Sequence, residues 1–124
     1  ATMLLTKLVL PFMIKQRSGV IVNLCSQAGL NGKAGEAAYA AAKFGVRGFT
    51  QALFDEVRPY GIKVSTIHPG YVDTSMIPPN RRLERNKMLR AEDVAEAIYS
   101  VVTSSPQCCP VEIILQPQQD PLKA

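Results

Sequence analysis

The sequence predicts an α/β fold, a three-stranded parallel sheet with a helix in every strand-to-strand connection, which is half of a doubly wound arrangement. Three short runs at residues 20–24, 62–67 and 111–115 are rich in Val, Ile and Leu without clean alternation, as expected of strands covered on both faces. The stretches before and between them repeat apolar residues every three or four positions, which is the helical period. A length of 124 residues, 47% hydrophobic and 19% charged, fits one small globular domain and excludes wholesale disorder.

The first helix is expected over residues 1–16, where Leu4, Leu5, Leu8, Val9, Phe12 and Met13 form one stripe and Ser18-Gly19 supplies the stop. The first strand follows, then a loop containing Gly29, Gly32 and Gly35. The longest helix is expected over residues 36–58. It is rich in Ala, carries Phe44, Val46, Phe49, Leu53, Phe54 and Val57 on a helical period, and ends before Pro59 and Gly61. The second strand closes at His68-Pro69-Gly70. A third helix is expected over residues 91–103, with Glu92 and Asp93 suited to its positive N-terminal turn. The last strand leads into a loose tail from residue 116, with several Gln and Pro. The chain begins at Ala1, already in helical sequence, which points to a processed or truncated product.

Several functions are excluded early. The stretch 3–14 is too short to span a bilayer, and Lys7, Pro11 and the lack of a small-residue cleavage site argue against a signal peptide. Fourteen Lys and Arg against ten Asp and Glu leave +4, too mild to force a nucleic-acid reading. The one basic cluster, Arg81, Arg82, Arg85, Lys87 and Arg90, has no interleaved aromatic residue on which a base could stack. It reads as a solvated surface, with a lip favouring acidic or phosphorylated substrates as the functional alternative. Cys25, Cys108 and Cys109 make no disulfide framework and no CxxC pair, so they read as reduced thiols in the cytoplasm or another intracellular compartment. His68 has no partner at metal spacing and reads as structural; no metal site is expected.

Ligands of an open parallel sheet bind beyond the carboxyl ends of its strands. Cys25-Ser26-Gln27 follows the first strand and His68-Pro69-Gly70-Tyr71-Val72-Asp73-Thr74 the second. On the helix between them, Tyr39 and Lys43 lie four residues apart and so share one face. An ammonium roughly 5 Å from a phenol favours phenolate by about 3 kcal/mol at an effective dielectric of about 20. A phenol so placed suits general acid/base work. With a Ser hydroxyl polarising a carbonyl oxygen and Tyr39 moving a proton, the chemistry is carbonyl reduction or alcohol oxidation. The hydride requires a cofactor, because no side chain carries one.

Tyr-x3-Lys by itself is weak, but Ser26 after a strand, Tyr39 and Lys43 on the next helix, and Pro69-Gly70 after the next strand make one constellation. In that order the sequence resembles the short-chain dehydrogenase/reductase family, from residue 1 to about residue 116. The resemblance implies a three-layer Rossmann-like, doubly wound sheet of which residues 1–116 are the C-terminal catalytic half and 117–124 a tail. It implies that Ser26 polarises the substrate, Tyr39 is the acid/base, and Lys43 assists Tyr39 and holds the ribose of NAD or NADP. Pro69, Gly70, Val72 and Thr74 would border the nicotinamide, and residues 71–90 would cover a small carbonyl or alcohol substrate.

The family's opening strand, TGxxxGxG loop and helix, and its Asn-Asn-Ala-Gly segment, do not occur in these residues. The glycines at 29, 32 and 35 lack GxGxxG spacing and read as a loop. The 124 residues alone are therefore expected to be inactive, and the choice between NAD and NADP is not written in them. Small residues Ala41, Ala42, Gly45 and Gly48 allow close helix approach, and the resemblance implies a homo-oligomer through the helices at 1–16 and 36–58. The competing reading is a non-catalytic derivative that works by association.

Overall fold

The computed structural model describes residues 2–25, 34–75 and 82–122. In chain order they form α1 (Thr2–Gln16), β1 (Gly19–Leu24), α2 (Ala37–Val57), a 3-10 turn at Arg58–Tyr60, β2 (Ile62–Pro69), a second 3-10 turn at Arg85–Lys87, α3 (Ala91–Thr103) and β3 (Glu112–Leu115). The strands lie in the order β1-β2-β3, and both pairings are parallel. Ile21 is opposite Val64 and Leu24 opposite Ile67, while His68 and Pro69 are opposite Ile114 and Leu115. β2 thus runs two residues beyond the stretch expected from composition, because its end pairs with β3. Fold class, strand number and strand direction are those expected.

Alternation along β2 sorts the layers. Ile62 and Val64 join Leu53 and Val57 of α2 in the core, with Leu10, Met13 and Ile14 of α1 packed against them. Lys63 points the other way and donates from Nζ to the carbonyls of Ser104 at 2.6 Å and Ser105 at 2.8 Å, which ties the segment just after α3 to the sheet. Helices α1 and α2 therefore cover one face and α3 the other. Val64, Ile67 and Val101 have no solvent exposure.

The apolar stripe of α1 divides. Val9 and Met13 turn toward β1, whereas Leu4, Leu8 and Phe12 are exposed. The helix is apolar nearly all round, so period alone did not say which side meets the sheet. It ends in a two-bond turn, with Ser18 N–H donating to the Met13 carbonyl and Arg17 N–H to that of Ile14. Arg17 takes the left-handed conformation there, at φ 52°.

The tail is anchored where the sequence suggested looseness. The Glu84 N–H donates to the Pro121 carbonyl at 2.8 Å, and Leu83 bridges Leu122, so the end of the described chain is tied to residues 83–84. At the start of α3 the Arg90 N–H donates to Asp93 Oδ2 at 2.8 Å, which gives Asp93 the N-terminal role its position suggested.

Candidate active site

The carboxyl edge of the sheet is assembled by backbone. The Cys25 N–H donates to the Ile67 carbonyl at 2.7 Å and the Gly70 N–H to the Leu115 carbonyl at 2.8 Å, so both strand exits open at one edge. Ser26, next after Cys25, lies outside the described residues, as do Gly29, Gly32 and Arg81.

Tyr39 stands in the first turn of α2, 49% exposed and therefore open to a reactant. The Lys43 ammonium lies over its ring, 5.6 Å from the centroid. The Cys25 thiol donates weakly to the Lys43 carbonyl at 3.5 Å, which ties this part of the helix to the exit of β1. Cys25 is buried, in keeping with the small structural role read from the sequence.

Residues 70–74 are held from outside the sheet. The Leu89 N–H donates to the Tyr71 carbonyl at 2.9 Å, and the Asp73 N–H to the Leu89 carbonyl at 2.8 Å, making a parallel bridge between Val72 and Leu89. Arg85 Nη1 reaches Asp73 Oδ1 at 2.7 Å and the Thr74 carbonyl at 3.4 Å. The nominal substrate loop is thus fastened at its far end, residues 85–89, to the segment beside Gly70. Arg85, Lys87 and Arg90 are turned to Asp73, Glu84 and Asp93 respectively, so these cations of the basic cluster face carboxylates of this chain. That geometry favours the surface reading over an anion-binding lip.

His68 is fully buried, and its Nε2 lies 2.8 Å from Glu112 Oε1. The same oxygen accepts from Arg47 Nε at 2.6 Å, and Glu112 Oε2 accepts from Arg47 Nη2 at 3.1 Å. The Arg47 hydrogen bond holds the Glu112 carboxyl below its ordinary range, against the opposing effect of burial, and His68 acts in the same direction. An ionised carboxylate only accepts, so the ring nitrogen at this contact carries the proton. The sequence reading missed Arg47 and Glu112. The available signal was that Arg47 continues the four-residue spacing of Tyr39 and Lys43.

Among the described residues no cluster of three or more His, Cys, Asp and Glu is arranged to hold a metal ion, and no helix is long and apolar enough to cross a membrane. A cavity of about 540 Å³ lies between residues 86–90 and 116–119, with Asp93 on its wall. One of about 570 Å³ lies at the opposite, amino edge, between Arg58, Lys63, Cys108 and Cys109. The second is remote from every acid/base pair described above, so its size does not make it the chemical site.

A three-stranded parallel sheet with helices on both faces and a Tyr-Lys pair on the helix between β1 and β2 is a Rossmann-like α/β arrangement. Residues 1–85 match the short chain dehydrogenase family. The chain is 49% identical over 72 residues to the 3-oxoacyl-[acyl-carrier-protein] reductase FabG of Vibrio cholerae, covering 58% of this chain and 30% of that protein. It is 36% identical over 108 residues to an uncharacterized oxidoreductase of Staphylococcus epidermidis, covering 87% and 46%. The crystal structure of a Brucella melitensis 3-oxoacyl-[acyl-carrier protein] reductase with bound NAD superposes with a TM-score of 0.76 at 26% identity, over 93% of this chain and 46% of that one. The chain belongs to the short-chain dehydrogenase/reductase family and spans less than half the length of these relatives.

Proposed function

We propose that this chain carries the catalytic portion of an NAD- or NADP-dependent oxidoreductase that interconverts a carbonyl and an alcohol. The observation that carries the reading is the Tyr39–Lys43 pair, set on α2 beside the edge where β1 and β2 end. The donor set there fits the nicotinamide end of a dinucleotide. Lys43 offers ammonium donors for ribose hydroxyls, and the backbone and hydroxyl groups of Pro69, Gly70, Val72 and Thr74 match a primary amide. For the pyrophosphate, neither the TGxxxGxG nor the GxGxxG sequence occurs in these residues.

The nicotinamide cofactor, when bound, supplies or accepts the hydride. The remaining work belongs to the chain. Ser26 donates a hydrogen bond to the substrate oxygen as negative charge develops there, an electrostatic stabilisation. Tyr39 gives its phenolic proton to that oxygen during reduction and takes it back during oxidation. Lys43 stabilises the phenolate left behind and holds the ribose, so one side chain serves both partners.

The test is turnover of a carbonyl panel, including a 3-oxoacyl thioester and simple ketones and aldehydes, with NADH and NADPH. It uses the chain joined to its native upstream sequence. Substrate-dependent oxidation of one cofactor is expected; no turnover on any member refutes the reading.

A second reading, association without catalysis, is favoured by the outer face of α1. Met3, Leu4, Leu5, Leu8 and Phe12 are between 58% and 74% exposed, an apolar row suited to a second copy of this chain. Ala41, Ala42, Gly45 and Gly48 on α2 allow a close helix contact beside it. A homo-oligomer formed there is compatible with either reading. A TGxxxGxG strand, loop and helix encoded ahead of Ala1 favours the enzyme, and a native start near Ala1 the association module.

A further inference from the structure

The face of α2 that carries Tyr39 and Lys43 continues to Arg47. Residues four apart stand one above another, about 6 Å along the axis at 1.5 Å per residue. From this third position the guanidinium reaches β3 and grips the Glu112 carboxylate with two nitrogens, at 2.6 and 3.1 Å. The oxygen nearer to Arg47 also takes the contact from His68, which directly precedes Pro69 and Gly70. Glu112 thus holds one partner on the helix of the acid/base pair and another on the strand whose end borders the cofactor.

We propose that Glu112 is a positioning residue for the reaction, fixing α2 and the exit of β2 at one separation and one axial register. The inference rests on the dehydrogenase reading above. The apolar contact between α2 and β2 lies at the other end of both elements, where Leu53 and Val57 meet Ile62 and Val64. Such contacts are individually weak and non-directional, so they set how closely the helix lies on the sheet but resist sliding poorly. Near the site, polar tethers supply direction. Asn23 Nδ2 donates to Thr50 Oγ1 at 2.9 Å, and the Cys25 thiol makes its longer contact with the Lys43 carbonyl; both join α2 to β1. The Arg47–Glu112–His68 cluster is ionic and two-pronged, and it includes β2 and β3.

Stability is a poor reason for such a cluster. The Arg47 and Glu112 side chains are 32% and 27% exposed, and water screens an ion pair so placed, leaving it worth little to the folded state. Geometry is a better reason, because reacting groups need placement within about 0.5 Å and a 1 Å error costs about 10²-fold in rate.

The experiment uses the chain with its native upstream sequence and compares wild type with Glu112→Gln, Glu112→Asp and Arg47→Lys. It reads kcat, KM and cofactor affinity at 25 °C, with the folded fraction taken from thermal melts. For Glu112→Gln, which loses the charge and sets an amide N–H where Oε2 accepted from Arg47 Nη2, kcat is expected to fall about tenfold with substrate KM within about twofold. Glu112→Asp, which keeps the charge but is one methylene shorter, is expected to recover only part of that loss. A folded Glu112→Gln protein with a lowered Tm but wild-type kcat overturns the proposal, since that is the signature of a structural role alone. If Glu112→Gln does not fold, Arg47→Lys decides: a severalfold fall in kcat supports the proposal and wild-type kcat overturns it. An inert wild-type protein removes the dehydrogenase reading and this inference with it; an active one with unimpaired variants removes the inference only.

Discussion

Lys43 Nζ lies 5.6 Å from the centre of the Tyr39 ring, one helical turn further along α2. The contact is local, made by two residues of one helix, so it forms whenever the helix forms. Its setting is not local. Tyr39 remains half exposed while the Lys43 carbonyl is tied to Cys25, so the phenol stays reachable at the end of the sheet while the lysine is anchored beneath it.

Removing the phenolic oxygen isolates proton transfer. In the protein with its upstream sequence, Tyr39→Phe is expected to lower kcat by about 10²–10⁴-fold with cofactor affinity within about twofold. Lys43→Ala is expected to weaken turnover and cofactor binding together. Steady-state kinetics with fluorescence titration of the reduced cofactor reads both, and near-normal turnover in Tyr39→Phe rules out Tyr39 as the acid.

The 124 residues alone are expected to bind neither NAD(H) nor NADP(H) at micromolar concentration. Lys43, Gly70 and Thr74 offer groups for the ribose and nicotinamide end only, and that partial set must offset several kcal/mol of lost translational and rotational freedom. Calorimetric titration of a folded sample checks this. Saturable one-to-one binding near 1 μM would contradict it.

Acid should loosen the Glu112 cluster. The carboxyl is held below its ordinary range in the folded chain, first by the Arg47 hydrogen bond and then by His68. Its stabilising contribution is therefore present above the unfolded value of about 4.3 and is lost as pH falls through the lower folded value. Urea midpoints measured from pH 6 down to pH 3 should fall more steeply for wild type than for Glu112→Gln. Asp93, held low by Arg90, contributes equally to both proteins and cancels in the comparison. Parallel curves would show that Glu112 gains nothing from its partners.

Two glycines give opposite expectations. Gly61 sits at φ +73°, and a Cβ there would meet the Arg17 carbonyl oxygen at 2.8 Å, so Gly61→Ala should destabilise by about 1–3 kcal/mol. Gly45 lies inside α2 with nothing within 4 Å of a Cβ, so Gly45→Ala should stabilise by about 0.5–1 kcal/mol. Chemical denaturation of the two variants beside wild type measures the difference.

Three strands, three helices and a parallel sheet were readable because they rest on local composition and on a topological rule that a helix between strands enforces. The Tyr39–Lys43 pair was readable for the same reason, since four residues of helix fix two side chains on one face whatever surrounds them. Period could not orient α1, because a helix apolar on most sides has no single preferred face, and the sheet chose Met13 over Phe12. Composition also ended β2 too early, since His68 and Pro69 become strand only by pairing with β3.

The links that make a site of these parts join residues far apart in the chain: Arg47 with Glu112, Tyr71 and Asp73 with Leu89, and Glu84 with Pro121. No periodicity announces such contacts. Each exists because the packed sheet has already brought two strand ends or a helix and a strand within hydrogen-bond reach, with the entropy of closing the intervening loops met by the core rather than by the contact itself. Local sequence therefore pointed to the residues proposed for the chemistry of this chain, and packing across the sheet settled how Tyr39, Lys43 and Gly70 are held.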